Sequence, residues 1–312
     1  MQNNLQIAVF GGAGFLGRHL MRELTKLDYR VKVATRNPYL KGFLKPLGNP
    51  GQIELIKTNI FNVDDVKQVI KNCDYVINLV GILYEKKWQK FSHIHSDFPR
   101  LLSKVCNDFK IKKLIHISSL GCKEKHTSQY MQSKFQGEKN IIENFKTAVI
   151  LRPGICFGPD DSFFNRFASL TQFSPIIPMI GGGKQKFSPV FVGDVAKAIT
   201  KALKLNNSEP KIYELSGPQV YSFKQLMEIL LKEIKKNRFL VNCPFSLAKF
   251  QAYFFQMLPN PILTVDQVEL LKYDNVISGE YPTLKDFGIQ GKTINSILPQ
   301  YIYRHRTFGE FG

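Results

Sequence analysis

The sequence predicts an α/β protein built on a doubly wound parallel sheet, with a smaller mixed lobe in its C-terminal half. Three observations support this fold class. Short apolar runs alternate with amphipathic segments through the first half of the chain, a glycine-rich turn separates the first run from the first amphipathic segment, and the regularity fades after Arg152. Such alternation is typical of βαβ units, whose parallel strands are covered by helices on both faces.

The predicted strands are short apolar runs, and the predicted helices carry apolar residues at a spacing of three or four. Because each strand is followed by a helical segment, all carboxyl ends of the strands should lie at one edge of the sheet. The strands cover residues 5–10, 31–35, 53–57, 75–80, 114–118 and 148–151, and the helices between them include 17–27, 64–71 and 100–109.

The second half of the chain is less regular. Proline and glycine punctuate residues 174–183, and helical patterns return at 195–205, 223–235 and 246–258. We therefore expect residues 1–155 to form the core, to which the chain returns at about 185–205. The rest of 156–312 should form a smaller substrate or docking lobe, interleaved with the core.

Composition excludes several classes of protein. The 312 residues are 44% hydrophobic and 22% charged, as in an ordered globular protein. No apolar run reaches the roughly 18 residues that span a bilayer. The first strand begins at Leu5, which leaves no room for a leader peptide in the sequence as given. Five cysteines without a CxxC pair suit free thiols in a reducing compartment, so we expect a cytoplasmic protein.

The charge balance points to anionic partners. The chain has 43 basic and 25 acidic residues, a formal charge of +18, which favours phosphorylated ligands, acidic membrane surfaces, acidic subunits or nucleic acid. A surface solvated by lysine explains the same number equally well, since the lysines are spread along the chain. The pair His93 and His95 has no neighbouring cysteine or carboxylate cluster, so we expect no metal site.

The glycine-rich turn predicts a dinucleotide site. The stretch AVFGGAGFLGRHL at 8–20 places Gly11, Gly14 and Gly17 directly after the first strand and at the start of the first helix. A tight turn, close approach of the backbone to a pyrophosphate, and a positive helix N-terminus all require this arrangement, which is typical of Rossmann-type folds. The predicted cofactor contacts here are Gly11, Gly14, Phe15, Leu16 and Gly17.

The end of the second strand favours NADP(H) over NAD(H). An NAD site usually has an acidic residue here for the ribose 2′-hydroxyl, whereas this strand ends in Thr35, Arg36 and Asn37. A guanidinium suits a 2′-phosphate, and the two neighbours are able to hydrogen-bond it. The alternatives are that Arg36 stacks on the adenine or lies in solvent.

Several motifs together resemble the extended short-chain dehydrogenase/reductase superfamily. They are the glycine loop, NLVG at 78–81, the Tyr130 and Lys134 pair, and LRPGICFGP at 151–159. Within that superfamily, HISSLGC at 116–122, Arg36 and SPVFVGDVAKAI at 188–199 are most similar to an atypical branch. This branch contains the nucleotide-binding accessory subunit of respiratory complex I and its bacterial relatives, which resemble epimerases and dehydratases in fold.

The resemblance implies roles for further residues. Val80 and Gly81 would lie against the adenosine half of the cofactor, Lys134 would hold the nicotinamide ribose, and Pro153 would close over the nicotinamide. In complex I the bound NADPH is understood to be structural. Phe10 stands where the superfamily often has Thr or Gly, and we expect its side chain to point into the packing of the sheet.

Tyr130 and Lys134 are the candidate catalytic pair. A free phenol titrates near pH 10, so a tyrosine that exchanges a proton with substrate needs a nearby cation. Four residues apart on a helix, the two side chains share one face. The spacing alone is a weak signal, and it gains weight from its place after the fifth strand.

The serine that completes the superfamily's catalytic tetrad is hard to find. It usually lies two residues beyond the first serine after the fifth strand, and counting from Ser118 this position holds Leu120. Ser119 is one residue short, and strand alternation predicts that it points to the other face. Cys122 is a weak donor. Ser118 and Ser119 therefore remain weak candidates, and the sequence favours a site that binds the dinucleotide without turnover.

Residues 245–258 predict an amphipathic helix with a broad apolar face. Four polar positions, Ser246, Lys249, Tyr253 and Gln256, form one narrow stripe. The apolar face is too short to cross a membrane, but it suits peripheral membrane contact or docking to another subunit. The alternative is a helix packed into its own lobe.

These observations leave three functional hypotheses. The first is an NADP(H)-holding accessory subunit or assembly factor of NADH:quinone oxidoreductase, on the cytoplasmic face of a bacterial inner membrane. The second is an NADP-dependent reductase or epimerase on a quinone precursor, lipid or sugar nucleotide, with Tyr130 as proton donor and Lys134 as its activator. The third, an RNA-binding module, has little support because no arginine-rich motif with interleaved aromatics occurs.

Overall fold

The structure is a computed structural model that describes residues 5–86 and 88–307. The strands are β1 (Gln6–Phe10), β2 (Arg30–Thr35), β3 (Ile53–Lys57), β4 (Tyr75–Asn78), β5 (Lys113–Ile117), β6 (Ala148–Pro153), β7 (Cys156–Phe157), β8 (Ile176–Ile180), β9 (Lys186–Phe187), β10 (Val190–Phe191), β11 (Lys211–Leu215), β12 (Tyr221–Ser222) and β13 (Phe239–Cys243). The helices are α1 (Phe15–Lys26), α2 (Val63–Ile70), α3 (Phe98–Asp108), α4 (Gln129–Asn144), α5 (Phe164–Phe173), α6 (Val192–Ala202), α7 (Phe223–Glu233), α8 (Phe245–Phe255), α9 (Val265–Leu270), α10 (Ile294–Ile297) and α11 (Pro299–Ile302).

A seven-stranded parallel sheet forms the core, in the order β11-β6-β5-β4-β1-β2-β3. The chain reverses its direction of winding between β1 and β4, so the loops after these strands diverge and leave a crevice at their carboxyl ends. The predicted fold class and the six predicted strands are confirmed. The seventh strand, β11, lies at the edge beside β6 and was not predicted.

Helices cover both faces of the sheet. In β1, Ile7 and Val9 pack with α1 and α6, whereas Ala8 and Phe10 pack with α2 and α3 on the opposite face. Such burial on both sides explains why the strands are apolar without alternation. The Phe10 ring lies 5.4 Å from the ring of Phe98, so its predicted place inside the packing is confirmed.

The second lobe has its own apolar core. Aromatic rings from α5, α7 and β9, including Phe164, Phe223 and Phe187, pack with α10 and α11. The Tyr301 hydroxyl donates a 2.5 Å hydrogen bond to the buried Asp161 carboxylate and so ties α11 to the loop after β7. In the part of the chain that the structure describes, no helix combines the length and apolarity that crossing a bilayer requires.

Candidate functional site

The glycine turn lies at the carboxyl edge of the sheet, in the crevice between β1 and β4. Gly11 has a φ of +82°, and a Cβ there would lie 3.0 Å from the carbonyl carbon of Leu79. At Gly17 a Cβ would lie 2.3 Å from the Gly12 carbonyl oxygen, because α1 passes directly over the turn. Gly14 is the N-cap of α1 and has no side chain to cap it. The first amides of α1, from Phe15 and Leu16 onward, therefore remain available for a phosphate.

Arg36 lies beside a groove at the carboxyl ends of β2 and β3. It is exposed and forms no ion pair with the residues that the structure describes. The groove has a volume of about 570 Å³, and its lining also includes the charged Lys57 and Asp65 and the polar Thr58, Asn59 and Gln68. Thr58 and Asn59 line this groove without being among the predicted contacts, because nothing in the pattern after the third strand marks them. The groove gives Arg36 room to meet an anionic ligand.

Val80 and Gly81 follow β4 on the other side of the crevice. The Val80 amide donates to the Asn78 side-chain oxygen at 3.0 Å, which turns the chain out of the sheet. A Cβ at Gly81 would lie 3.4 Å from Lys134 Nζ and 3.7 Å from His95 Nε2. The structure thus brings Gly81 and Lys134, which are predicted cofactor contacts, together with a histidine.

Lys134 is buried on α4, and its ammonium group donates a 3.0 Å hydrogen bond to the Ile117 carbonyl at the end of β5. Burial lowers the pKa of Lys134 to about 8. Burial also raises the pKa of the Tyr130 phenol, and the Ser119 hydroxyl beside it opposes that rise. The remaining charges that act on Tyr130 raise its pKa further. The lysine is thus engaged by the backbone, and no cation among the described residues lowers the pKa of the phenol.

The predicted orientation of Ser119 is wrong. The side chain approaches Tyr130 and does not point to the opposite face. Strand alternation does not apply there, because β5 ends at Ile117 and the chain turns through Gly121, which has a φ of +80°. Ser118 is buried, and its hydroxyl lies beside the Cys122 thiol.

Leu120 occupies the position of the tetrad serine and is fully buried. Its amide donates to the carbonyl of Pro153, the last residue of β6, at 3.0 Å. Its side chain lies against Gly154, where an added Cβ would be 3.2 Å away. The group that would orient a substrate oxygen is thus replaced by packed hydrocarbon, and Pro153 is buried beside it.

His95 is a residue whose role the sequence did not reveal. It lies in a π-helical segment, Ser92–Asp97, before α3. The Ile82 amide donates to His95 Nε2 at 3.0 Å, so the proton sits on Nδ1, which donates to Ser133 Oγ at 3.0 Å. Ser133 in turn donates to the Tyr130 carbonyl at 2.7 Å. The histidine therefore joins the loop after β4 to the first turns of α4.

The His95 ring also forms part of the wall beside Tyr130. The two rings are perpendicular with centroids 5.3 Å apart, and the Phe91 ring stacks on His95 at 5.5 Å and also lies 5.8 Å from the Tyr130 ring. Burial, followed by the charges of Lys134 and His116, lowers the pKa of His95 to about 2. His95 therefore stays neutral and acts through its fixed tautomer.

Residues 264–275 of the second lobe, termed the clamp segment, close over the loop that follows β5. The Tyr273 ring lies 4.3 Å from the ring of His126. The Asn275 side-chain amide donates to the Leu120 carbonyl at 3.0 Å. These contacts hold the loop around Leu120 against the second lobe.

Residues 7–216 match the NAD dependent epimerase/dehydratase family. The chain belongs to this family. As an epimerase/dehydratase family member it has the family's Rossmann-type, nucleotide-binding fold, and the predicted relation to short-chain dehydrogenases is confirmed. The match covers the glycine turn, the Tyr130 and Lys134 pair and the Pro153 loop.

Several relatives with similarity along almost the whole chain are complex I subunits. The chain is 28% identical to the mitochondrial NADH-ubiquinone oxidoreductase 40 kDa subunit of Neurospora crassa, over 96% of this chain and 79% of the relative. It is 30% identical to the mitochondrial NADH dehydrogenase (ubiquinone) 1 alpha subcomplex subunit 9 of Arabidopsis thaliana, over 96% and 78%. The predicted resemblance to the complex I accessory subunit is therefore confirmed.

Other relatives are enzymes. A ceramide reductase of Caulobacter vibrioides is 25% identical over 56% of this chain and 53% of the relative. Among solved structures, UDP-glucuronic acid 4-epimerase from Bacillus cereus, in complex with UDP-glucuronic acid and NAD, superposes with a TM-score of 0.67 at 22% identity, over 96% of this chain and 99% of that one. At this identity the likeness establishes the fold.

Proposed function

We propose that this epimerase/dehydratase family member is an accessory subunit or assembly factor of a membrane-bound NADH:quinone oxidoreductase, in which a bound NADP(H) is mainly structural. Similarity to complex I subunits over 96% of the chain supports the partner. Such a subunit needs a retained cofactor and an exposed docking surface, and it needs no catalytic turnover.

The observation that carries this proposal is that the catalytic tetrad lacks its substrate-orienting serine, while the residues expected to bind the cofactor are present. The glycine turn, Arg36 and Lys134 keep the groups that bind a dinucleotide. At the position of the substrate-orienting serine lies the buried Leu120, and Lys134 Nζ is bonded to a backbone carbonyl. A phenol whose pKa is raised by burial exchanges its proton poorly at neutral pH. The site therefore favours binding over reaction.

We favour NADP(H) over NAD(H) because of Arg36. The side chain is exposed and lies beside a groove that also contains Asn59, while Thr35 and Asn37 flank it in sequence. A guanidinium binds a phosphate through two parallel hydrogen bonds and has no comparable partner in a ribose hydroxyl. When bound, the cofactor would stabilise the folded chain by mass action.

Helix α8 supplies the proposed docking surface for peripheral membrane contact. It buries only Ala248 and Ala252, whereas the apolar residues Phe250, Phe254 and Leu247 are 64%, 54% and 48% exposed. Most of its apolar face is therefore open to solvent and does not pack into its own lobe. Outward aromatic residues on a strongly basic protein suit an anionic membrane interface.

The test is purification of the tagged protein from its native membranes in mild detergent. Mass spectrometry identifies the co-purifying polypeptides, and the nucleotide is released and quantified. We expect subunits of NADH:quinone oxidoreductase and close to one NADPH per chain. Recovery of the protein alone, with a nucleotide that exchanges freely, would contradict the accessory role.

A second candidate function is an NADP-dependent reductase, and the position of Ser119 favours it. Its hydroxyl approaches Tyr130 and supports the phenolate, so it offers a substitute for the tetrad serine. The similarity to a ceramide reductase suggests a lipid substrate. Turnover of NADPH with a ceramide precursor or quinone precursor, abolished by Tyr130→Phe without loss of NADPH binding, would establish this activity.

A further inference from the structure

The N-terminus of α4, the helix that carries Tyr130 and Lys134, is capped by a carboxylate from the second lobe. The Asp266 side chain accepts hydrogen bonds from the Gln129 amide at 2.7 Å, the Tyr130 amide at 3.2 Å and the Ser128 hydroxyl at 2.8 Å. A carboxylate is favoured at this position because the first amides of a helix lack partners and carry partial positive charge. The cap comes from a residue 136 positions further along the chain.

The helix that supplies this cap also supports α8. Asp266 lies in the first turn of α9. Further along α9, Glu269 accepts a 2.9 Å ion pair from Lys249 of α8. Val268 packs with Ala248 and Ala252, the two buried residues of α8. Helix α8 thus contacts α9 through its two buried alanines and one ion pair. Helix α9 in turn contacts α4 through the hydrogen bonds of Asp266.

We propose that Asp266 couples the dinucleotide site to the α8 surface, so that bound NADP(H) orders both. The inference rests on the proposed function, because it requires the cofactor to engage Tyr130 and Lys134. Asp266 is a positioning residue in this scheme, since it acts on the site through α4. Its neighbour Gln267 also donates to the Leu83 carbonyl at 3.4 Å, in the loop after β4, but Asp266 is the α9 residue that caps α4 itself.

The physical basis is the shared cost of ordering. A ligand on Lys134 restricts the first turns of α4, and the Asp266 cap transmits this restriction to α9 and its partner α8. Cofactor binding then already includes the entropy cost of ordering the clamp segment. A partner that docks on α8 afterwards binds without that cost. Linkage makes the effect reciprocal, so docking at α8 strengthens NADP(H) binding by the same factor.

A purely structural cap makes a different prediction. If Asp266 only stabilised α4, its loss would weaken the helix and cofactor binding without affecting how α8 responds to the cofactor. Hydrogen exchange distinguishes the two roles, because it reports each segment separately. The relevant peptides cover the glycine turn, residues 126–134 and residues 245–256.

The experiment measures amide exchange in the full-length chain, with and without saturating NADPH. In the wild type we expect NADPH to slow exchange in all three peptides, with roughly a fivefold effect or more in 245–256, the lower end of typical couplings. In Asp266→Ala the glycine turn should still respond, while the response of 245–256 falls clearly below that of the wild type, because only the contacts of Gln267, Tyr273 and Asn275 remain between the clamp segment and the site. Ser222→Ala, which removes the N-cap of α7 within the same lobe, is the matched control and should behave as the wild type.

Lys249→Met provides a second route in case Asp266→Ala does not fold. It breaks the ion pair between α8 and Glu269 of α9. NADPH should then slow amide exchange less in 245–256, with no change of its effect in 126–134. The coupling would be overturned if NADPH slowed exchange in 245–256 as much in either variant as in the wild type. It would also be overturned if NADPH did not slow exchange in 245–256 of the wild type. Absence of protection at the glycine turn of the wild type would instead contradict the proposed cofactor.

Discussion

At the scale of single residues, the site differs from a catalytic one in a few atoms. Leu120 places methyl groups where a hydroxyl would orient substrate, and Ser119 brings a hydroxyl to the phenol from one position earlier. The same Tyr-to-Lys spacing recurs at Tyr281, whose ring stacks on the Arg152 guanidinium with 4.9 Å between them. A tyrosine and a lysine four residues apart therefore indicate a catalytic pair only when the surrounding structure places them beside the cofactor site.

Arg36 is the residue expected to select the phosphorylated cofactor. Arg36→Ala should weaken NADPH binding about 10- to 100-fold, because a charge-assisted hydrogen-bonded contact contributes roughly 1.5–3 kcal/mol. The affinity for NADH should change little, since its 2′-hydroxyl offers no charge. Calorimetric titration with both nucleotides measures the effect, and Arg22→Ala on the exposed side of α1 is the control. Equal losses for both nucleotides would assign Arg36 to stacking on the adenine.

At the scale of elements, the first half of the chain was predictable and the contacts between lobes were not. Strands and helices up to β6 follow from local periodicity, because each is buried against the same sheet. Strand β11 was missed because its sequence, KIYEL, mixes two charged residues with apolar ones over only five positions and shows no clear period. The orientation of Ser119 depends on where β5 ends, and the cap from Asp266 is set by tertiary packing. Neither leaves a local pattern.

Helix α4 should give cofactor binding a pH dependence. Lys134 has a pKa of about 8 in the free protein, and hydrogen bonds to ribose hydroxyls favour its charged form. NADPH affinity should therefore stay constant below pH 8 and fall above it, by up to tenfold per pH unit. Lys134→Arg, which stays charged throughout, should abolish the fall. A wild-type affinity independent of pH between 7 and 9.5 would remove Lys134 from the ribose site.

The lowered pKa of Lys134 also makes the stability of the cofactor-free protein depend on pH, and stability increases with pH where cofactor affinity decreases. The folded-state pKa of Lys134 lies below its ordinary value of 10.5, so the unfolded chain binds more protons between about pH 8 and 10.5. The contribution of this group to the free energy of unfolding of the cofactor-free protein therefore increases with pH in that window. Urea unfolding at pH 7.5 and 9.5, compared with Lys134→Met, isolates it. A wild type that gains nothing relative to the variant would contradict the burial of a charged amine.

Helix α8 should determine membrane association. Phe250→Ser with Phe254→Ser removes two exposed rings and should lower partition onto anionic vesicles at least tenfold, since burying each ring stabilises the bound state by about 1.5–3 kcal/mol. Tyr39→Ser removes a 97% exposed ring elsewhere and serves as the control. Cosedimentation with vesicles that contain phosphatidylserine measures the partition. Loss of binding in the control alone would move the docking surface to the segment that contains Tyr39.

At the scale of the whole molecule, the crevice of the sheet, α4, the clamp segment and α8 lie in one connected series. The buried Arg152 binds Glu138 of α4 through two hydrogen bonds of 2.9 and 2.6 Å and lies 3.9 Å from Glu214 of β11. Helix α4 is therefore held from the sheet side by Arg152 and from the lobe side by Asp266. A ligand that contacts α4 therefore binds an element that both lobes hold in place. Binding in the crevice should for this reason stabilise both lobes against unfolding.

The measurable consequence is a global gain in stability from the cofactor. NADPH at 100 times its dissociation constant should add about 2.7 kcal/mol to the free energy of unfolding, which raises the melting temperature by about 4 °C for a chain of this size. NADH at the same concentration should give a smaller shift, because it lacks the 2′-phosphate that Arg36 is proposed to bind. Gly14→Val is the control: its backbone is unstrained, but the side chain would fill the space that a pyrophosphate needs. A single calorimetric transition that shifts with NADPH in the wild type and not in this variant would show that the two lobes unfold as one unit held by the cofactor. Two transitions, only one of which shifts, would mean that the second lobe is thermodynamically separate, and this would argue against Asp266 as the link between the dinucleotide and α8.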